Sequence, residues 1–122
     1  MNTIPKTVRP VATGLTGRPA ALQWWRESQL QFLDESQATN LRAVLIRIAF
    51  MECPDWRLAI EGDAARAVRI ALHVAASYPQ RLWAIDYAAS ALLLCAGGNP
   101  AAEVTLAYMR RRFIALCTRM EV

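Results

Sequence analysis

The stretch LWAIDYAASALLLCAGG, residues 82–98, constrains the fold of this 122-residue chain more than any other segment. Apolar side chains cover every side of a helix built from it, and Asp86 is its only charged residue. A helix that is apolar all round has to be buried, and this one is too short for a membrane span and carries an acid. We therefore predict a helix from about Pro79 to Ala96 at the centre of a soluble domain.

Four more helical segments are predicted around this central helix, and no segment shows the alternation that is typical of a strand. Residues 1–18 have no apolar period and are expected to form a flexible N-terminal arm. The prediction is an all-α fold, a compact bundle of about five helices in a single domain over residues 19–122. The surrounding helices are expected at Pro19–Glu35, at Asn40–Glu52, between Gly62 and Pro79, and from Asn99–Pro100 onward.

Helical periodicity also predicts which side chains face the core. In the first helix Trp25 faces inward, so its neighbour Trp24 points about 100° away from the core. In the third helix Arg66, Arg69 and His73 share the outer side. The inward set of that helix is expected to be Ala67, Val68, Ala71, Leu72 and Ala75.

One segment of the chain occurs twice. GDAARAVRIAL at residues 62–72 returns as GNPAAEVTLAY at residues 98–108. In both copies a glycine ends one helix and Asp63 or Asn99 caps the next. The matched alanines and valines are expected on the packing side of their helices.

The first copy resembles a known helical repeat. The spacing of Gly62, Ala67 and Pro79 is similar to that in the second helix of a tetratricopeptide hairpin. The preceding segment, however, lacks the W-x-x-L-G-x-x-Y pattern of that family, and Ala71 stands where a large aromatic residue is expected. The resemblance implies helical hairpins within residues 62–120, and a plain helical bundle is the alternative.

The formal net charge of +4 is divided unevenly along the chain. Residues 1–18 carry +3; residues 19–109 carry seven arginines against nine acids, a sum of −2; residues 110–122 carry four arginines against one acid, a sum of +3. The body is therefore slightly acidic and the two ends are basic. This is not the uniform basic face expected of a protein that binds duplex nucleic acid.

Few side chains are suited to catalysis or to metal binding. Cys53, Cys95 and Cys117 lie far apart among apolar residues, so we expect free thiols in a reducing cytoplasm. His73 is the only histidine, which excludes mechanisms that need two histidines and most zinc sites. Because the chain also lacks phosphate-loop and nucleophile motifs, we expect no catalytic residue, no cofactor, no metal and no enzymatic activity.

Asp86 needs a separate explanation, because an acid in the most apolar helix requires a partner. Tyr87 and the arginines of the last helix are the candidates. We favour a structural ion pair or hydrogen bond, and a functional acid is the alternative.

An excess of large apolar side chains is the strongest functional signal. Several lie off the core faces of their helices, and the last helix carries an apolar stripe like that of a pairing helix. A domain of this size has difficulty covering all of them, and contiguous apolar patches usually mark partner surfaces. The residues expected to contact a protein partner, or a second copy in a homodimer, are Trp24, Leu30, Phe50, Leu106, Met109, Phe113, Leu116 and Met120.

Together these features predict a cytoplasmic, non-enzymatic helical protein that sequesters or chaperones another protein, without contact to a membrane. An anti-activator of a transcription factor or a small secretion-type chaperone would suit this description. The alternative is a nucleic-acid-binding helical protein that uses the basic arm and the last helix. In that case Tyr108, Arg112 and Arg119 would form a patch for phosphates or another anionic partner.

Overall fold

The computed structural model describes residues 20–27, 33–48, 50 and 53–120, and for Arg119 and Met120 it describes the backbone alone. In this part of the chain all regular structure is helical, which confirms the predicted all-α fold and is consistent with a bundle of about five helices. The expected arm at residues 1–18 lies outside the described residues. The elements are a 3₁₀ helix at Ala20–Arg26, then α1 at Glu35–Ile46, α2 at Trp56–Ile60, α3 at Ala64–Ser77, α4 at Leu82–Ala96 and α5 at Pro100–Met120.

The α4 helix lies at the centre of the bundle, as its sequence predicts. From Ala84 to Ala96 all of its residues are buried except Tyr87 and Leu94, which are partly buried. Every other described helix contacts α4, and α3 and α5 also pack against each other. The alanines of α4 allow this, because small side chains let neighbouring backbones approach closely. Within the described ranges, every helix is too short or too polar to span a membrane.

The predicted starts of the third and fifth helices are confirmed by their capping contacts, whereas the fourth helix begins at Leu82, three residues after the predicted Pro79. The carboxylate of Asp63 accepts a hydrogen bond from the backbone N–H of Arg66 at the start of α3 (3.1 Å). The side-chain oxygen of Asn99 accepts one from the backbone N–H of Ala102 at the start of α5 (3.0 Å). Gly98 precedes this cap with φ of +79°, a conformation that favours glycine.

The two copies of the repeat are alike in how their helices start, but not in which side of each helix packs against the core. Of the matched residues, Ala65 and Ala101 are exposed, and 68% of Val104 is accessible to solvent. Ile70 and Leu106 are the equivalent pair that is buried in both helices. The prediction that the matched alanines and valines all face inward is therefore wrong, because α3 and α5 turn different sides toward the core.

The predicted first helix is wrong in its extent. The chain forms a 3₁₀ helix that ends at Arg26, and Asp34 begins a separate helix, α1. The carboxylate of Asp34 accepts from the Gln37 N–H (2.8 Å), and the Gln37 side chain accepts from the Asp34 N–H (3.1 Å). This capping box starts a helix inside the segment whose apolar period predicts one continuous helix. For the same reason α1 begins earlier than the predicted Asn40; it also ends at Ile46, before the predicted Glu52.

The inward face of α3 is also partly mispredicted. Leu72 is 47% exposed, while Ile70 and Val74 are buried. The α3 helix contacts α2, α4 and α5 together, so its buried arc is set by three neighbours. A wheel drawn for one helix does not contain that information.

Candidate functional site

A buried polar cluster fastens the 3₁₀ helix to α4. Asp86, which is 1% exposed, accepts a hydrogen bond from the indole N–H of Trp25 (2.8 Å). The guanidinium of Arg26 donates hydrogen bonds to both oxygens of the same carboxylate, with Nη2–Oδ2 at 2.8 Å and Nε–Oδ1 at 3.1 Å. Asp86 thus forms the kind of structural ion pair that was predicted, but its partner here is Arg26, which was not among the partners predicted from the sequence.

The α5 helix completes this cluster. Phe113 packs edge to face on Trp25 with ring centroids 5.3 Å apart, and the Arg26 guanidinium lies 4.5 Å from the Phe113 centroid. Arg110 donates from Nε to the backbone carbonyl of Trp25 (2.6 Å), and burial lowers the pKa of Arg110. These contacts use the polar atoms to join three helices, which indicates a structural cluster.

The apolar stripe of α5 is not an exposed seam. Leu106, Met109 and Leu116 are between 1% and 5% exposed, because α3 and α4 cover them. Phe113 is partly buried against the core, and the side chain of Met120 lies outside the described part of the chain. The prediction that this stripe is open to a partner is therefore wrong, and with it the argument for a homodimer through α5.

The other predicted contact residues also differ from expectation. Trp24 is partly buried against the core instead of fully exposed. Leu30 lies outside the described residues. Phe50 is 2% exposed, so it is a core residue and the prediction that it is open to a partner is wrong.

The predicted anionic-partner patch is only partly assembled among the described side chains. The Arg112 guanidinium lies 5.8 Å from the ring centroid of Tyr108, so these two residues do meet. Arg112 also donates to the carbonyl of Ala75 in the last turn of α3 (3.5 Å), a structural use of its charge. The side chain of Arg119 lies outside the described part of the chain.

Phe50 is the centre of an aromatic cluster formed with Trp56, Trp83 and Tyr87. Its ring centroid lies 4.6 Å from that of Trp56, 5.7 Å from that of Tyr87 and 6.3 Å from that of Trp83. Trp83 is 39% exposed, so the cluster reaches from the core to the surface. Two clefts open beside it, and both are lined in part by Phe50 and Cys53.

The first cleft, called here the α2 cleft, has a volume of about 390 Å³. The indole N–H of Trp56, which lines the cleft, donates to the carbonyl of Leu45 (3.2 Å). Arg42 donates from Nε to the carbonyl of Ile60 at the end of α2 (3.2 Å). The lining residues are Ile46, Ile48, Phe50, Cys53, Pro54, Trp56, Arg57 and Ile60.

The second cleft, called here the α3 cleft, has a volume of about 340 Å³ and a more polar rim. Asp55 accepts from Nε of Arg66 and from Nη1 of Arg69, both at 3.2 Å. Arg66 also pairs with Asp63, and hydrogen bonds from the Arg66 backbone and side chain lower the pKa of Asp63. The lining residues are Phe50, Cys53, Asp55, Arg69, Ile70, His73, Val74 and Tyr78.

Sequence reasoning missed both clefts. A usable signal was Trp56, an aromatic residue placed directly after the Pro54–Asp55 turn in a segment too short for a full helix.

Among the described residues no group of three or more His, Cys, Asp or Glu side chains is placed to hold a metal ion. The chain matches no family model, no curated protein and no solved structure.

Proposed function

We propose that this chain is a non-enzymatic binding protein that captures an apolar segment of another protein in the α2 cleft. The observation that carries the proposal is the composition of the cleft: of the eight lining residues that the structure describes, Arg57 alone is charged. Its volume of about 390 Å³ lies within the range of roughly 300 to 1,000 Å³ that is usual for binding clefts. Such a cleft suits one large apolar anchor side chain of a partner.

The surface around the cleft supports a protein partner. Ile46 on its rim is 40% exposed, and Trp83, which contacts Phe50, is 39% exposed. Exposed apolar side chains around a cleft add area that a peptide or helix can bury. Because the polar atoms of Trp56 and of the end of α2 are already bonded, an occupant would gain mainly from apolar burial.

The position of Arg57 predicts a further chemical feature of the partner. Its side chain is 71% exposed and lies 3.4 Å from Glu61, which is 49% exposed. An ion pair this exposed contributes little to stability, so the guanidinium can turn toward a carboxylate on a partner. The proposed ligand is therefore an apolar anchor with an acidic residue close by in sequence.

Capture of such a segment is a means of sequestering or chaperoning another protein, the regulatory role that we assign to the chain. We place this activity in the cytoplasm, because Cys53, Cys95 and Cys117 are all free thiols and a reducing compartment keeps thiols free.

The experiment is a selection of random peptides on the immobilised full-length chain, followed by titration of the selected peptides by fluorescence anisotropy. We expect enrichment of peptides with a large apolar residue near Asp or Glu. Ile46→Glu and Arg57→Glu should each weaken binding by about tenfold or more, which corresponds to about 1.4 kcal/mol. Replacing the peptide acid by Lys should restore binding to the Arg57→Glu variant.

The matched control is Ile114→Glu, which introduces the same charge at a 61% exposed isoleucine that lines neither cleft. Its binding should equal that of the wild type. Peptides that bind all three variants equally, or a selection that enriches no peptide, would refute the proposal.

A further inference from the structure

We propose that the α3 cleft is a separate binding site for a small organic acid that carries one carboxylate on an aromatic or other apolar body. The proposal does not depend on partner binding in the α2 cleft, because the group that would bind the acid is Arg69, which lines the α3 cleft and not the α2 cleft; Phe50 and Cys53 line both. Three features support it: an apolar floor, the Arg69 guanidinium with N–H donors that are not yet bonded, and the nearby Asp55, which limits the charge of the ligand.

The floor of the α3 cleft is apolar and includes aromatic rings. Phe50, Ile70 and Val74 are all between 0% and 6% exposed, so their side chains form a fixed surface. Tyr78 lines the same cleft and is held by Arg81, whose guanidinium lies 5.4 Å from the ring centroid. A flat apolar body can therefore stack in the cleft without rearranging the core.

The rim of the cleft supplies the group that would bind a carboxylate. Arg69 is 68% exposed and donates from Nη1 to Asp55 (3.2 Å). A guanidinium carries five N–H donors in a planar fork, so most of the Arg69 donors remain available to a ligand. This fork matches the two oxygens of a carboxylate. His73 lines the same rim and adds a second nitrogen donor or acceptor.

Asp55 restricts the charge of the ligand. It lies in the same cleft, is 32% exposed, and is shared between Arg66 and Arg69. Together with Asp63, which pairs with Arg66, it balances the two guanidinium charges. Because these charges are balanced, the cleft offers little net attraction to offset the greater desolvation cost of a dianion, whereas a single carboxylate can be bound by the open donors of Arg69. The cleft should therefore prefer monoanionic acids to phosphate esters.

The test uses three probes that share a phenyl ring: 3-phenylpropionate, the neutral 3-phenylpropanol and the dianion phenyl phosphate. Each is titrated into the full ¹⁵N-labelled chain while amide chemical shifts are recorded. We expect saturable shifts at α3-cleft residues with 3-phenylpropionate, with a Kd of about 1 mM or below, a range that a ligand of this size can reach. The alcohol and the phosphate should bind about tenfold more weakly or worse.

Three substitutions make the test specific. Arg69→Met should weaken 3-phenylpropionate binding by about tenfold while the alcohol binds as before, and Arg69→Lys, which keeps the charge without the fork, should fall between. Arg111→Met, at an exposed arginine that lines neither cleft, should leave binding unchanged. Absence of saturable shifts with the acid, equal binding of the acid and the alcohol, or unchanged acid binding by Arg69→Met would each overturn the proposal.

Discussion

Breaking the ion pair between Arg26 and Asp86 should loosen the 3₁₀ helix from the core by an amount that a double-mutant cycle can measure. Asp86 is 1% exposed and the Arg26 side chain is 25% exposed. Removing one partner of a fully buried pair costs about 3–5 kcal/mol. Because Arg26 reaches solvent, we expect the lower end of that range, about 3 kcal/mol, for Asp86→Asn.

The Arg26→Met variant should lose the ion pair and also the contact with Phe113. The guanidinium lies 4.5 Å from the Phe113 ring centroid, and a partly desolvated contact of this kind contributes about 1 kcal/mol. We therefore expect a loss of about 4 kcal/mol for Arg26→Met. In the double variant neither charge is left without the other, so the loss should be about 2 kcal/mol smaller than the sum of the single losses.

Urea denaturation followed by far-ultraviolet circular dichroism gives the free energies of unfolding. Tryptophan fluorescence is less suitable, because the Trp25 indole donates to Asp86 and its emission would respond to the substitutions directly. Additive losses in the double variant would refute the idea that the two side chains act as a pair. Single losses below about 1 kcal/mol would place the cluster among weak surface pairs.

Three further outcomes are expected. Burial raises the pKa of Cys95 to about 11, so at about pH 8 this thiol stays protonated. In the native protein iodoacetamide should therefore modify the partly exposed Cys53 and Cys117 before Cys95, as peptide mass spectrometry would show. Gly98→Ala should lower the free energy of unfolding by about 1 kcal/mol through backbone strain alone, since an added Cβ meets no atom within 4 Å. Gly62 has a φ of +118°, which is less accessible to alanine, so Gly62→Ala should lower the free energy of unfolding further in the same denaturation assay. Trp24→Ala should cost about 1–3 kcal/mol, because Trp24 packs partly against the core, and a loss as small as that of an exposed side chain would contradict this.

The second half of the fold could be predicted because its boundary signals are local. Asp63 and Asn99 each bond a backbone N–H three residues further on, so a short stretch of sequence contains the whole interaction. The central position of α4 was also predictable, since a segment that is apolar on all sides has no stable place except the interior. In the first half, the apolar period extends through Asp34, but the capping box at this residue overrides it.

The predicted contact surface failed for a different physical reason. Periodicity shows that Leu106, Met109 and Leu116 share one side of a helix, but it does not show whether another helix covers that side. In the folded chain α3 and α4 do so. The prediction that Phe50 is open to a partner was wrong for the same reason. Its contacts with Trp56 and Tyr87 depend on how α1, α2 and α4 are arranged, and the sequence of a single segment does not determine that arrangement.

The two proposed sites should also influence each other, because Phe50 and Cys53 line both clefts. A ligand in the α3 cleft that shifts the Phe50 ring changes the shape of the α2 cleft, and linkage requires the reverse effect to be equal in free energy. This prediction rests on both proposals. If peptide binding is measured with and without saturating 3-phenylpropionate, the peptide Kd should change by a factor that equals the change in the acid's Kd at saturating peptide. Unequal factors would mean that the assays report something other than binding at equilibrium, and factors of one in both directions would show that the Phe50 ring keeps one position whichever cleft is occupied.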